Sequence, residues 1–87
     1  MKLKEIAERI NAHLKRFEAD PVINAGNRKY KSRPFYCAHA IQRGNRVFVQ
    51  YVSYQGPTSL SKERALKYLQ WLDNGNVGRH FEAEKEA

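Results

Sequence analysis

The chain has 87 residues, of which 41% are hydrophobic and 29% charged, and a formal net charge of +7. This length supports one domain with one modest core and excludes a second domain. The apolar runs are too short for a transmembrane helix or a signal-peptide core, so the sequence predicts a small cytoplasmic protein with no membrane partner. The single cysteine, Cys37, excludes an internal disulfide and fits a reducing compartment.

The positive charge is concentrated in the middle of the chain. No acidic residue occurs in the 42 residues between Asp20 and Glu63, and the rest of the chain has as many acidic as basic residues. The whole excess of +7 therefore lies in this stretch, which indicates an anionic partner. Its cations are Arg28, Lys29, Lys31, Arg33, Arg43, Arg46 and Lys62.

An amphipathic helix is predicted for residues 3 to 17, because apolar side chains recur there at helical spacing. Asp20-Pro21 is expected to end the helix, since a residue before proline is driven out of the helical conformation. Residues 21 to 34 are expected to be irregular. They include a basic arm, defined as Arg28 to Arg33, in which four cations surround Tyr30.

The clearest local pattern is a β-hairpin. Two segments rich in aromatic and β-branched residues, Phe35 to Ile41 and Arg46 to Tyr54, flank a Gly44-Asn45 pair. This pair suits a two-residue turn that requires positive φ. The resulting register pairs Ile41 with Phe48 and His39 with Gln50 on one face. The other face carries Ala38, Ala40, Val47 and Val49, and the pattern does not decide which face packs on the helices.

A second helix is predicted after a break at Gln55 to Thr58, with Ser59 or Ser61 as its N-cap. Its apolar stripe runs from Ala65 to Leu72, and Asp73-Asn74-Gly75 is expected to end it with a glycine C-cap. Within the stripe, Tyr68 and Trp71 are interpreted as core residues, with an exposed binding hot spot as the alternative.

The fold class that follows is α+β in the order α-β-β-α, with two helices packed on a small antiparallel sheet. Residues 76 to 81 fit a short extra edge strand. The domain is expected to span residues 1–81, and residues 82–87 are expected to form a frayed acidic tail.

Two families of nucleic-acid-binding domains have a similar layout. Residues 56 to 72, with the sequence Ser61-Lys62-Glu63-Arg64-Ala65, resemble the end of a double-stranded RNA-binding domain, which also begins with a helix. The segment from Phe35 to Leu72 resembles the arm-type DNA-binding modules of phage integrases. Both families have three strands, and the likeness is one of layout without a specific motif. We therefore transfer no site residue from either.

The sequence predicts a small non-catalytic nucleic-acid-binding protein that contacts phosphates through its basic arm and hairpin tip, with DNA and RNA both open. The alternative is a protein-interaction module or inhibitor of the phage or mobile-element type, docking a basic and aromatic face on an acidic protein. A homodimer formed through the second sheet face also remains open. The predicted binding residues are Arg28, Lys29, Tyr30, Lys31, Arg33, Arg43 and Arg46, with Tyr30 as the best stacking candidate.

Catalytic and metal sites are weakly indicated. Cys37 and His39 share a strand face, so a nucleophile pair or two metal ligands can be drawn there. The further histidines, His13 and His80, have no motif spacing. Glycine-rich phosphate loops and central paired carboxylates are absent from the sequence. We expect no enzyme activity, no metal and no cofactor.

Overall fold

The structure, a computed structural model, describes residues 1–21, 38–51 and 57–77, which form two helices and one three-stranded sheet. The sheet is antiparallel, with strand order β1-β2-β3. Both helices pack against it, which confirms the predicted α+β class. In chain order the elements are α1 (Leu3–Ala19), β1 (Ala38–Arg43), β2 (Arg46–Tyr51), β3 (Thr58–Ser61) and α2 (Lys62–Asp73).

Helix α1 follows its predicted amphipathic pattern. It ends at Ala19, where Asp20 takes an extended conformation before Pro21, and the Asp20 amide donates to the carbonyls of Arg16 and Phe17. The proline thus stops the helix where steric exclusion predicts. The residues that α1 buries are Ile6, Ala7, Ile10, Leu14 and Phe17.

The hairpin has the predicted register. Ile41 pairs with Phe48, His39 pairs with Gln50, and Arg43 closes the ladder opposite Arg46. In the turn, Gly44 has φ +56° while Asn45 has a negative φ, a pattern typical of a type II′ turn. The predicted outer parts of the hairpin, residues 35–37 and 52–54, lie outside the described residues.

The sheet packs on the helices with its alanine and valine face. Val47 and Val49 have no exposed surface, and Ala38 and Ala40 are nearly as buried. The two alanines have small side chains, which allows α1 to lie close to β1. The opposite face carries the Ile41–Phe48 pair. The structure therefore shows which face of the hairpin packs on the helices, which the sequence pattern left open.

The third strand lies in a different place from the one predicted. Thr58–Ser61, expected to be a break and a helix cap, pairs with β2, so that Leu60 is opposite Val47. Leu60 is the single buried residue among four, and alternation this short gives little signal. Ser61 also caps α2, accepting the Arg64 amide at 3.3 Å. The extra strand predicted at 76–81 is wrong for residues 76 and 77, which lie in no strand, and residues 78–81 are outside the described part.

Helix α2 ends as predicted. Gly75 has φ +92°, and its amide donates to the Leu72 carbonyl at 3.0 Å. Tyr68 is 1% exposed, so it belongs to the core, and Trp71 is half-buried with its ring 6.2 Å from that of Tyr68. Neither described helix has the length and apolarity needed to cross a bilayer.

A side chain of α1 accepts a hydrogen bond from one amide at the edge of the described sheet. Strand β1 lies at that edge, and its Ala40 amide donates to the Asn11 side-chain oxygen at 3.0 Å. The bond is partly buried, so an unpaired amide there would lack full access to water. Asn11 thus fixes α1 along β1 and keeps one edge amide from pairing with another chain.

We expect Asn11→Ala to destabilise the fold by about 1–3 kcal/mol, because it leaves the Ala40 amide without an acceptor. Asn11→Asp keeps an acceptor oxygen and is the matched control. Urea unfolding measures the change in stability, and hydrogen exchange at the Ala40 amide should accelerate in Asn11→Ala. Unchanged exchange at Ala40 would contradict this role.

Candidate nucleic-acid interface

Two of the seven predicted binding residues lie in the described part of the chain. They are Arg43 and Arg46, the closing pair of the hairpin. The other five, in the basic arm, lie outside the described residues: Arg28, Lys29, Tyr30, Lys31 and Arg33. The geometry of the candidate site therefore rests on the hairpin.

Arg43 and Arg46 are both exposed, on the sheet face that the helices leave uncovered. The Arg46 Nε donates to the Ser59 hydroxyl of β3, which holds this guanidinium along the sheet. Within the described residues, the ion pairs lie elsewhere, and no carboxylate is within 4.0 Å of either arginine. No acid of the described residues therefore compensates the two guanidinium charges.

The start of α2 brings further cations to the same end of the sheet. Ser61 pairs with Arg46, and Lys62 follows Ser61 directly as the first residue of α2. The N-terminus of a helix adds a partial positive charge. We define the hairpin end as Arg43, Arg46, Lys62 and Arg64. Glu63 is the acidic residue in the first turn of α2.

Helix α1 differs from the hairpin end, because its cations are partly neutralised. Arg9 donates to Asp73 at 2.7 Å, and the Lys15 ammonium lies 3.7 Å from Glu18. Exposed pairs of this kind contribute little to stability, but they cancel charge locally. Two cations of α1 are therefore paired with acids, in contrast to Arg43 and Arg46.

The structure contains an aspartate–histidine pair, His13 and Asp73, that the sequence did not predict. His13 Nε2 lies 2.8 Å from Asp73 Oδ1, and Arg16 lies 2.9 Å from His13 Nδ1. An ionised carboxylate only accepts and a guanidinium only donates, so Nε2 carries the proton and Nδ1 accepts. Both ring nitrogens are thus engaged, and His13 has no nitrogen left to act as a general base. The pair joins α1 to the end of α2.

A depression of about 360 Å³ lies on the uncovered sheet face, and no pattern in the sequence predicted it. Ile41, 40% exposed, and the half-buried Phe48 form its apolar part. The cross-strand pairing that builds it was predicted, but its exposure depends on which face packs on the helices. Its lining residues are His39, Ile41, Arg43, Phe48, Gln50 and Pro57.

The Cys37–His39 combination is only partly described. His39 is exposed on the uncovered face, and Cys37 lies outside the described residues. Among the residues described, no group of three or more His, Cys, Asp or Glu side chains is arranged to hold a metal ion.

No family model, curated protein or solved structure matches this chain. The third strand supplies the three strands that both similar layouts contain, and α2 begins with Lys62-Glu63-Arg64. These likenesses remain likenesses of element order. A functional conclusion must therefore rest on the chain's own residues.

The position of the two arginines depends on the turn, so we expect Gly44→Ala to destabilise the fold by about 1–2 kcal/mol, the cost of a left-handed conformation. An added Cβ meets nothing within 4 Å, so the cost is conformational rather than steric crowding by neighbours. Gly44→Asn should cost less, since asparagine tolerates positive φ better. Thermal unfolding of both variants tests this, and an alanine variant as stable as the native chain would refute it.

Proposed function

We propose that this protein binds nucleic acid without catalysis and contacts phosphates through the hairpin end. One observation carries the proposal: Arg43 and Arg46 are exposed, paired across the hairpin, and without a carboxylate within 4.0 Å among the described residues. Guanidinium groups bind phosphate oxygens in a bidentate manner, with two hydrogen bonds each.

The start of α2 supports the same interpretation. Lys62 adds a cation beside the arginine pair, and the helix N-terminus favours an anion there. A phosphate backbone crossing the hairpin end would meet these charges in succession. Contacts of this kind position a nucleic acid without reading its sequence.

The basic arm is the second part of the proposal, supported by charge alone. Arg28, Lys29, Lys31 and Arg33 provide four cations within six residues, and Tyr30 provides an aromatic ring among them. We propose that the arm extends the phosphate contacts of the hairpin end and that Tyr30 stacks on a base.

Phosphate contacts predict a linear fall of log affinity with log salt, with a slope of about −0.9 for each phosphate contacted in duplex DNA. The double variant Arg43→Gln/Lys62→Gln should reduce this slope by about 1.8 and weaken binding, because two contacts are lost. The matched control is Lys4→Gln/Lys15→Gln, which removes the same charge from α1 and should change the slope less. Fluorescence anisotropy with labelled duplex DNA, duplex RNA and single strands measures both.

Absence of binding to all three nucleic acids at about 0.05 M salt would overturn the proposal. The basic surface would then suit the acidic protein partner that the sequence left as the alternative. An equal loss of slope in the control variant would show that net charge, and not the hairpin end, governs binding.

A further inference from the structure

We infer that the uncovered sheet face binds the unpaired bases of a single-stranded nucleic acid, with Phe48 as the stacking platform and Arg43 and Arg46 on the adjoining phosphates. This inference rests on the proposed function and names the substrate class. We define the open face as His39, Ile41, Arg43, Arg46, Phe48 and Gln50.

Three cross-strand pairs lie in succession along this face. His39–Gln50 is polar, Ile41–Phe48 is apolar and aromatic, and Arg43–Arg46 is cationic. Successive pairs on one face of a sheet are about 7 Å apart. A nucleotide whose base lies on the Ile41–Phe48 pair therefore has its phosphate within reach of the arginine side chains at the next pair. The apolar pair is thus placed to contact the base of a nucleotide, and the cationic pair is placed to contact its phosphate.

The polar His39–Gln50 pair lies on the other side of the Ile41–Phe48 pair from the arginines. His39 is exposed, and its imidazole can donate or accept a hydrogen bond. Gln50 lines the same depression. An exposed imidazole such as that of His39 can hydrogen-bond the edge of a splayed base.

Charge favours a single strand over a second copy of the chain. In a face-to-face dimer the arginine pairs of both copies would lie on the buried faces, where unpaired charges are costly. No carboxylate among the described residues lies on this face to neutralise them. A polyanion with apolar base faces complements both the cationic end and the aromatic platform.

A duplex does not fit the same face. Its bases are stacked on one another and show only their edges in the grooves, so Phe48 has no base plane to contact. A single strand exposes base planes, and stacking on an aromatic side chain is tolerant of sequence. Preference for single strands is thus the specific consequence of this geometry.

The test compares the full chain with its Phe48→Leu variant, which keeps apolar bulk but loses the aromatic plane. Probes are an unstructured single strand of about 12 nucleotides, the corresponding duplex, and inorganic polyphosphate as a phosphate-only competitor. We expect Phe48→Leu to weaken single-strand binding by roughly 5- to 100-fold. Duplex and polyphosphate binding should change less than about twofold, because they depend on charge. Val77→Ala, at an exposed apolar residue after α2, is the control.

Phe48 is half-buried, so a second variant is needed to distinguish a loss of stacking from a loss of folding in Phe48→Leu. Ile41 is 40% exposed, so Ile41→Glu places a carboxylate on the platform and leaves the core intact. It should reduce single-strand binding more than duplex binding. Circular dichroism confirms the fold of each variant.

The outcomes separate this inference from the proposed function. If single strand, duplex and polyphosphate bind equally and neither variant alters the ratio, the inference is overturned and phosphate binding stands. If none binds, both are overturned. If sedimentation shows a dimer that Ile41→Glu dissociates, with nucleic-acid binding unaffected, the open face is a self-association surface and the inference is wrong.

Discussion

The register of the β1–β2 hairpin decides which side chains face the helices and which face away from them. A two-residue turn at Gly44-Asn45 sets Arg43 opposite Arg46, and period-two alternation then assigns every other side chain to a face. A slip of one residue would expose Val47 and turn Phe48 inward, at the cost of the core. The same register places two cations side by side at the hairpin end, so the packing and the proposed phosphate contacts have one origin.

Burial on one side of the sheet determines what remains available for binding. The helices cover the alanine and valine face, Asn11 bonds the edge of β1, and Asp73 joins α2 to Arg9 and His13 of α1. In these contacts, charged and hydrogen-bonding groups on the side of the helices are paired with one another. The arginine pair and the Ile41–Phe48 pair lie on the opposite face. The proposals concern that face because it combines two arginines that have no carboxylate within 4.0 Å among the described residues with a half-buried aromatic ring.

Much of this fold could be predicted from the sequence, because its strongest signals are local. Helical spacing predicted α1, and glycines with positive φ predicted both the hairpin turn and the end of α2. Strand β3 was misplaced, since Leu60 alone marks its buried side. The sequence left undecided which face of the hairpin packs on the helices, because both faces carry apolar residues. The His13–Asp73 contact joins residues 60 apart in sequence, so no local pattern indicates it. The sequence predicted that Arg43 and Arg46 lie together at the hairpin turn, as the structure has them. The basic arm stays a prediction, because it lies outside the described residues.

Amide chemical-shift mapping during titration with a short single-stranded oligonucleotide would locate the proposed contact without any substitution. Binding at the hairpin end should produce progressive, salt-sensitive shifts for the amides of β1 and β2 nearest the turn and for the start of α2. The amides around Asp73 should change little. Shifts confined to α1 and the end of α2, with the hairpin unaffected, would contradict the assignment of the hairpin end as the anion-binding surface.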